Sequence, residues 1–169
     1  LIVTSATYRQ STTPLPAALA ADADNRLLSH ANHSRLDTES VRDALLLASG
    51  RLDLRMGGPG DRQFDLQPGI HVTPRIDYTR FDIDSPAANR RSIYRFLFRT
   101  LPDPFFEALD CPAGDQLIAH RNNSVTVQQA LALWNNVFVA RQSEHLAARL
   151  QTEHAALPDQ VQAACRKIA

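Results

Sequence analysis

The segment between Asp37 and Gly50 constrains the fold most strongly, because it carries both a start and a stop signal for a helix. Asp37 can cap the first turn, and Glu39 places a carboxylate where the helix dipole favours negative charge. Gly50 suits the position just after a helix. The apolar residues between them recur at helical spacing: Val41, Ala44, Leu45 and Ala48, with Leu46 and Leu47 widening the arc. The pattern predicts a buried helix over residues 38–49 with Leu45 at the centre of its buried face.

The second half of the chain carries three further helix signals. Pro104 follows Asp103 and suits the first position of a short helix. Thr126 and Gln129 form a capping box ahead of an apolar run, and residues 135–136 mark a break between two helices. Phe105, Phe106 and Leu109 give the first helix side chains to bury; one later helical stripe holds Ala130, Leu133, Trp134, Val137 and Phe138, and a second holds Val139, Ser143, Leu146 and Leu150.

The first 35 residues give shorter signals. Residues 1–3 are apolar and are expected to form the last turns of a helix that begins before them. Asp24 or Asn25 can cap a short helix. The apolar residues of that predicted helix are Leu27, Leu28 and Ala31.

The middle of the chain changes from helical to extended periodicity. Ile76 to Phe81 suggests one strand, and the aromatic and branched residues of 92–99 suggest another. The segment 84–89 supplies a turn between them. A helix over 91–99 is the alternative, since three arginines there share a spacing of four residues. The sequence therefore predicts a mainly α fold, a single helical domain over residues 1–169 with a small antiparallel β-hairpin in the middle.

Composition excludes some classes of function. The hydrophobic fraction of 44% and charged fraction of 21% are typical of a globular protein. No apolar run approaches the roughly 20 residues of a membrane-spanning helix, so no membrane span is expected. The formal net charge of zero gives no support for binding to nucleic acid. Partner and ligand must therefore be sought in local features.

Catalytic and cofactor motifs are not evident in the sequence. There is no GxSxG nucleophile turn, no HExxH zinc motif and no CxxCH haem attachment site, so neither a metal nor a cofactor is expected in this chain. His30 and His33 would be helical neighbours, but they are too few to hold zinc. Asp82 and Asp84 form an acidic pair, which is more often a solvated turn than a catalytic dyad. Cys111 and Cys165 allow one disulfide, and the sequence leaves its formation open.

A cluster of arginines is the most prominent local feature. Residues 90–99 contain four arginines and no acid, whereas residues 101–116 contain four acids and no base. The two blocks can pair with each other, or the arginines can form an anion-binding strip beside an aromatic ring. Pairing is the favoured alternative because the charges balance. The candidate ligand-binding residues are Arg90, Arg91, Tyr94, Arg95, Arg99 and, further along the chain, Arg121.

Five sequence runs together resemble a known family. They are LIVTSATYRQST, NRLL, RLDTESVRDALLLASGRLDLRMGGP, RRSIYRFLFRTLPDPFFEALDCP and RNNSVTVQQALALWNNVFV, in this order. In these runs the chain resembles the C-terminal planctomycete-specific domain, of unknown function, of large exported proteins that also carry a cytochrome c domain. The resemblance implies a location in the cell envelope, a haem domain elsewhere in the protein, and further helices of this domain before residue 1.

Two functions remain open on this basis. The first is a non-catalytic binding or scaffolding module that packs on neighbouring domains and contacts an anionic glycan or partner. The second is part of a redox or glycan-directed active site that missing domains complete. A deep pocket lined by Arg91, Tyr94, Asp82 and Arg121 would favour the second, and a flat surface of paired charges would favour the first.

Overall fold

The computed structural model describes residues 1–69, 74–115, 117–122 and 124–168. The chain divides into two compact units, Leu1–Arg35 and Leu36–Ala169. The described residues contain six α-helices and one two-stranded antiparallel sheet, which confirms the predicted mainly α class with a small hairpin. That residues 1–169 form one domain stays a prediction.

The first unit contains one short α-helix, α1 (Pro16–Ala21), and a 3-10 turn over Ile2–Thr4 in place of the expected helix end. The predicted helix after Asn25 is wrong. Asn25 and Leu28 have φ angles of 51° and 54°, which a right-handed helix does not allow. The Asn25 amide is buried and donates to the carbonyl of His30 at 2.7 Å. This local bonding competes with helix formation.

The second unit begins with α2 (Thr38–Ser49), whose bounds confirm the prediction from residues 38–49. The Asp37 carboxylate accepts a hydrogen bond from the Ser40 amide at 2.9 Å, which caps the first turn. Gly50 ends the helix with a φ of 77°, in the left-handed region where glycine is favoured.

The buried face of α2 differs from the predicted one. Leu46 is fully buried at 0% exposure, whereas Leu45 is half-buried and Ala44 is exposed. The other buried residues of the helix are polar: Thr38, Arg42 and Ser49. They repeat every three or four residues and form one stripe with Leu46. The face against the rest of the unit is therefore a mixed stripe of one leucine and three polar side chains.

Four more helices follow in the second unit. They are α3 (Pro104–Ala108), α4 (Val127–Asn135), α5 (Val137–Glu153) and α6 (Leu157–Ile168). The predicted proline start of α3 is confirmed, and so are the Thr126–Gln129 capping box of α4 and the break between α4 and α5. At that break, the Asn136 side chain accepts from the amide of Phe138 at 2.9 Å and caps α5.

The core of the second unit lies around α3. Phe105, Phe106 and Leu109 form a buried cluster, with Val41, Cys111, Leu133 and Val139 packed against it. The α2 helix joins this core through polar contacts as well as apolar ones. The Thr38 hydroxyl donates to the Leu109 carbonyl at 2.7 Å, and the Ser49 hydroxyl donates to the buried Gln142 of α5 at 2.7 Å. These bonds satisfy the polar atoms that α2 buries.

The hairpin pairs β1 (Asp65–Gln67) with β2 (Arg75–Asp77) in antiparallel register. Only β2 overlaps a predicted strand. The predicted strand over 92–99 is wrong, and so is the helical alternative: Ser92–Tyr94 is a 3-10 turn, and Arg95 makes an isolated bridge to Asp61. The amide and hydroxyl of Ser92 both donate to the Asp43 carboxylate at 2.7 Å, so its bonds go to α2 and not to a strand ladder.

Candidate functional site

A cavity of about 490 Å³ opens in the second unit. Its wall is formed by α2, the segment that follows β2, the first residues of α3 and the first residues of α5. The volume falls within the range of about 300–1,000 Å³ typical of small-molecule sites. Most of the wall is apolar. The apolar side chains are Phe81, Ile83, Phe105, Phe106, Val137 and Phe138, and the charged ones are Arg42, Arg95, Asp82 and Asp103.

Arg42 projects from the buried face of α2, and its side chain is 3% exposed. Its guanidinium donates to the carbonyl of Arg90 at 2.9 Å and also to the carbonyl of Ala88. Its face lies 5.1 Å from the centroid of the Phe138 ring. Burial, together with the nearby charge of Arg95, lowers the pKa of Arg42 to about 10. Arg42 therefore stays charged at neutral pH, and its Nη1 and Nη2 both donate to acceptors within the fold.

Arg95 differs from Arg42 because part of its guanidinium is unsatisfied. The side chain is 7% exposed, its Nη2 donates to the Asp103 carboxylate, and its face lies 4.2 Å from the centroid of the Phe106 ring. Nη1 and Nε are buried and have no hydrogen-bond partner among the described residues. A buried charged donor without a partner is costly, because burial removes its hydration. Arg95 thus lines the cavity, while the unmet hydrogen-bonding capacity of its Nη1 and Nε lies just beneath the accessible surface.

The two carboxylates of the wall are already engaged. Asp103 caps α3 by accepting from the amides of Phe105 at 2.8 Å and Phe106 at 3.1 Å, in addition to its ion pair with Arg95. Asp82 is exposed and accepts from the amide of Asp84 at 3.0 Å, as a turn residue does. The lining of the cavity therefore combines a buried guanidinium that has two unpartnered nitrogens with two carboxylates that are engaged by local backbone amides and, at Asp103, by Arg95.

Of the six predicted ligand-binding residues, only Arg95 lies on this cavity. Arg90 pairs with Asp61 at 3.0 Å, and its guanidinium lies 4.0 Å from the centroid of the Tyr94 ring. The Tyr94 hydroxyl accepts from the amide of Gly57 at 2.8 Å, which also lowers the pKa of Tyr94. Arg90 and Tyr94 therefore hold the glycine-rich loop after α2 in place.

The remaining three predicted residues lie apart from the cavity. Arg91 lies 5.7 Å from the centroid of the Tyr94 ring, and Arg99 is exposed. Arg121 forms a fork with the Glu39 carboxylate at 2.6 and 2.8 Å, and this pair raises the pKa of Arg121. The predicted pairing of the two charge blocks holds for Arg95 with Asp103. That the six residues bind a ligand stays a prediction.

Sequence reasoning missed Arg42 and Gln63, which both contribute to the wall. The Gln63 amide donates to the carbonyl of Ala87 at 2.9 Å and steadies the segment that Arg42 also binds. A signal for Arg42 was present, because it lies one turn from both Thr38 and Leu46 on the same helical face. An arginine in the middle of a helical face that is otherwise buried indicates a buried guanidinium with specific acceptors.

Cys111 and the carboxylate of Asp84, which could take part in catalysis or metal binding, are engaged in contacts within the fold. Burial, with the nearby Glu39 charge, raises the pKa of the Cys111 thiol to about 11, so it is protonated at neutral pH. Cys111 and Cys165 are both free thiols. Asp84 bonds to Arg141 and to His145, each at 2.8 Å, and is therefore not a catalytic partner of Asp82. Within the described ranges, no group of three or more histidines, cysteines and acids is arranged to hold a metal.

Comparisons with known proteins place the chain in a family. No helix in the described part of the chain combines the length and apolar character needed to cross a bilayer. No curated protein and no solved structure matches the sequence. A family model does match, over residues 1–169, and it is described as PSD1, protein of unknown function (DUF1553). The chain belongs to this family of proteins of unknown function.

Proposed function

We propose that this chain is a non-catalytic binding module whose cavity holds a small anion at Arg95. The observation that carries the proposal is the pair of buried, unpartnered nitrogens of Arg95, a residue that lines a 490 Å³ cavity. A guanidinium binds carboxylate, sulfate and phosphate oxygens well, and a bond from a charged donor is about twice as strong as a neutral one. An anion that enters the cavity and displaces the neighbouring side chains enough to reach Nη1 would remove the cost of leaving this donor without a partner.

A binding role is favoured over catalysis by the residues of the wall. Among the described residues that line the cavity there is no histidine, cysteine or serine, and the hydroxyls of the lining residues Tyr78 and Thr79 donate to Leu101 and Asp77. Its two carboxylates serve as caps of local backbone. The alternative of an active site lined by Arg91, Tyr94 and Arg121 is not supported, because these residues lie away from the cavity.

The proposal is tested by calorimetric titration of acetate and of inorganic phosphate into the chain at constant ionic strength. At least one anion should bind the wild type and should raise its melting temperature, because binding to the folded state alone stabilises it. Arg95→Met should lose this binding, and Arg99→Met, at an exposed position off the cavity, should keep it.

A second variant separates lost binding from lost folding. Arg95→Lys keeps a positive charge near Asp103 but removes Nη1, so it should retain most of the stability while losing affinity. Two results would rule the proposal out: neither anion binds the wild type, or Arg95→Lys binds as tightly as the wild type.

A scaffolding role toward neighbouring domains is a second candidate, supported by one exposed helical face. Val127, Leu131 and Trp134 of α4 are 77%, 54% and 85% exposed. Their spacing of four and three residues places them on the same side of the helix. Clustered exposed apolar side chains are typical of interaction surfaces. We propose that this face contacts a neighbouring domain of the larger exported protein that the family resemblance implies.

The test of this second role is oxidative footprinting of Trp134 with mass spectrometry. In the full-length protein, Trp134 should be oxidised more slowly than in the isolated chain, because a neighbouring domain covers it. Tyr8, which is 62% exposed, provides an internal reference. Equal oxidation of Trp134 in both proteins would contradict the scaffolding role.

The wider setting of the proposal comes from the sequence resemblance. We propose an exported or periplasmic protein of the cell envelope, with haem chemistry confined to another domain and no cofactor in this chain. Fractionation of the native cells with an antibody against this chain tests the location, and recovery in the cytoplasmic fraction alone would contradict it.

A further inference from the structure

We infer that the ligand of the cavity is a monocarboxylate with an apolar, aromatic-sized body, an inference that rests on the proposed anion-binding function. The charge of the ligand follows from Arg95, and its body follows from the rest of the wall. The two parts can be tested separately, because the carboxylate and the apolar body can each be removed from a probe.

The charge state follows from the ion pair on Nη2. The Asp103 carboxylate already shares the Arg95 charge, and its side chain is only 12% exposed. An arriving dianion would lie beside this carboxylate in a poorly hydrated place and would be repelled by it. A monoanion that takes Nη1 meets less repulsion. A carboxylate therefore suits the site better than phosphate, which carries a second negative charge in a substantial part of its molecules at neutral pH.

The body of the ligand follows from the apolar wall. Phe105 and Phe106 are 9% and 3% exposed, and Phe138 and Phe81 are half-buried beside them. Such a surface gains free energy when apolar groups replace water, whereas a sugar would bring hydroxyl groups that find few partners there. The chemistry of the wall thus favours an aryl or branched alkyl carboxylate over the anionic glycan expected from the sequence.

The wild-type chain can be tested with a matched set of probes: acetate, phenylacetate, phenylacetamide, inorganic phosphate and N-acetylglucosamine 6-sulfate. Phenylacetate should bind about tenfold or more tightly than acetate, the factor that burial of one phenyl group gives. Phenylacetamide has the same ring without the charge and should bind at least about tenfold more weakly than phenylacetate.

A pair of exposed valines locates the binding in the cavity. Val137 lines the cavity and is 71% exposed, and Val127 lies off it and is 77% exposed, so neither substitution should disturb folding. Val137→Ser should lower the affinity for phenylacetate by up to about fourfold, the equivalent of one buried methylene. The same substitution should leave the affinity for acetate unchanged, and Val127→Ser should change the affinity for neither probe.

The outcomes separate the inference from the proposal beneath it. If acetate binds as tightly as phenylacetate, or if phosphate or the sugar sulfate binds more tightly, the inference is overturned and the anion-binding function stands. If no anion binds, the proposed function fails too. Equal binding of phenylacetate and phenylacetamide would overturn the inference by showing that the cavity holds an apolar group without using Arg95.

Discussion

The position of a single guanidinium explains why α2 packs as it does. Arg42 occupies the centre of the buried face, where an apolar residue would be usual, and its hydrogen bonds join the helix to residues 88–92. Its acceptors are the backbone carbonyls of Arg90 and Ala88 and the side-chain oxygens of Ser92 and Gln63. The side chain therefore acts as an anchor for the segment that carries Arg95.

Arg42→Met should lower the free energy of unfolding by about 3 kcal/mol, because buried acceptors lose their donor and each costs about 1–3 kcal/mol. Urea denaturation measures this loss. Arg55→Met is the matched control, since Arg55 is 73% exposed and bonds only to nearby Asp53. The control should change stability by less than about 1 kcal/mol. A loss below about 1 kcal/mol in Arg42→Met would show that this guanidinium is not an anchor.

A second residue-scale prediction concerns acid. Hydrogen bonds from Arg141, then from His145, hold the pKa of Asp84 at about 2, below its usual 3.8. A carboxyl group whose pKa is lower in the folded state than in the unfolded chain stabilises the fold at pH values above its unfolded-state pKa. The contribution of Asp84 is therefore complete above about pH 5 and is lost as pH falls toward 2.

Asp84→Asn should therefore flatten the fall in stability between pH 4 and pH 2, as followed by urea midpoints at several pH values. Asp115→Asn, at an exposed position in the loop after α3, serves as control. An unchanged pH profile in Asp84→Asn would mean that the contacts with Arg141 and His145 do not stabilise the fold.

Residue identity predicted local bonds well and long-range ones poorly. The caps at Asp37, Asp103 and Thr126 were predictable because a cap bonds to its own helix within three residues. The fork between Arg121 and Glu39 joins residues 82 positions apart, and no local pattern specifies it. The run of four arginines over residues 90–99 was visible in the sequence, but the separate partners of Arg90, Arg95 and Arg121 could not be predicted from it.

At the scale of elements, the rotation of a helix is harder to predict than its ends. The ends of α2 depend on Asp37 and Gly50, whereas its buried face depends on partners from other elements. The apolar arc of the sequence is centred on Leu45, but hydrogen bonds from Thr38 and Ser49 to distant acceptors turn the helix so that Leu46 is enclosed.

Two adjacent alanine substitutions test which face of α2 is turned toward the core. Leu46→Ala should cost about 2–5 kcal/mol of unfolding free energy, because it opens a cavity at a fully buried site. Leu45→Ala should cost distinctly less, since Leu45 is only half-buried. Chemical denaturation of both variants provides the comparison. A larger loss for Leu45→Ala would show that the helix faces the core as its apolar pattern alone indicates.

The segment 92–99 shows why an aromatic, branched run need not become a strand. Phe96 and Phe98 both pack near the Phe64 ring, with centroids 6.0 and 5.9 Å from it, and so satisfy the apolar pattern without a ladder. The polar bonds of Ser92 to α2 then prevent regular pairing. Residues with high strand propensity are those that fit a half-buried surface. A half-buried surface outside a sheet can satisfy them equally well.

At the scale of the whole second unit, the cavity is assembled from parts that lie far apart in sequence. Arg42, Tyr78, Arg95 and Phe138 come from four separate segments and meet only through tertiary packing. The class of fold could be predicted because helix signals are local. The cavity could not, because it depends on how α2, α3 and α5 approach each other.

Arg95 carries hydrogen-bonding capacity that we propose a ligand anion uses, and Asp103 offers the sharpest test of this role. Asp103→Asn preserves a side chain able to cap α3, yet removes the negative charge that competes for the guanidinium. The melting temperature should fall, because a buried arginine loses its charged partner. The affinity for phenylacetate should nevertheless rise, since the ligand carboxylate can then take Nη2 as well as Nη1.

The most direct measurement is therefore the dissociation constant of phenylacetate for Asp103→Asn and for the wild type, by calorimetry well below both melting temperatures. We expect a tighter complex in the variant, by about threefold or more, because the ligand carboxylate can then take Nη2; general destabilisation would not produce such a gain in affinity. Equal or weaker binding by a folded Asp103→Asn protein would contradict it, and Arg95 would then be only the buried partner of Asp103.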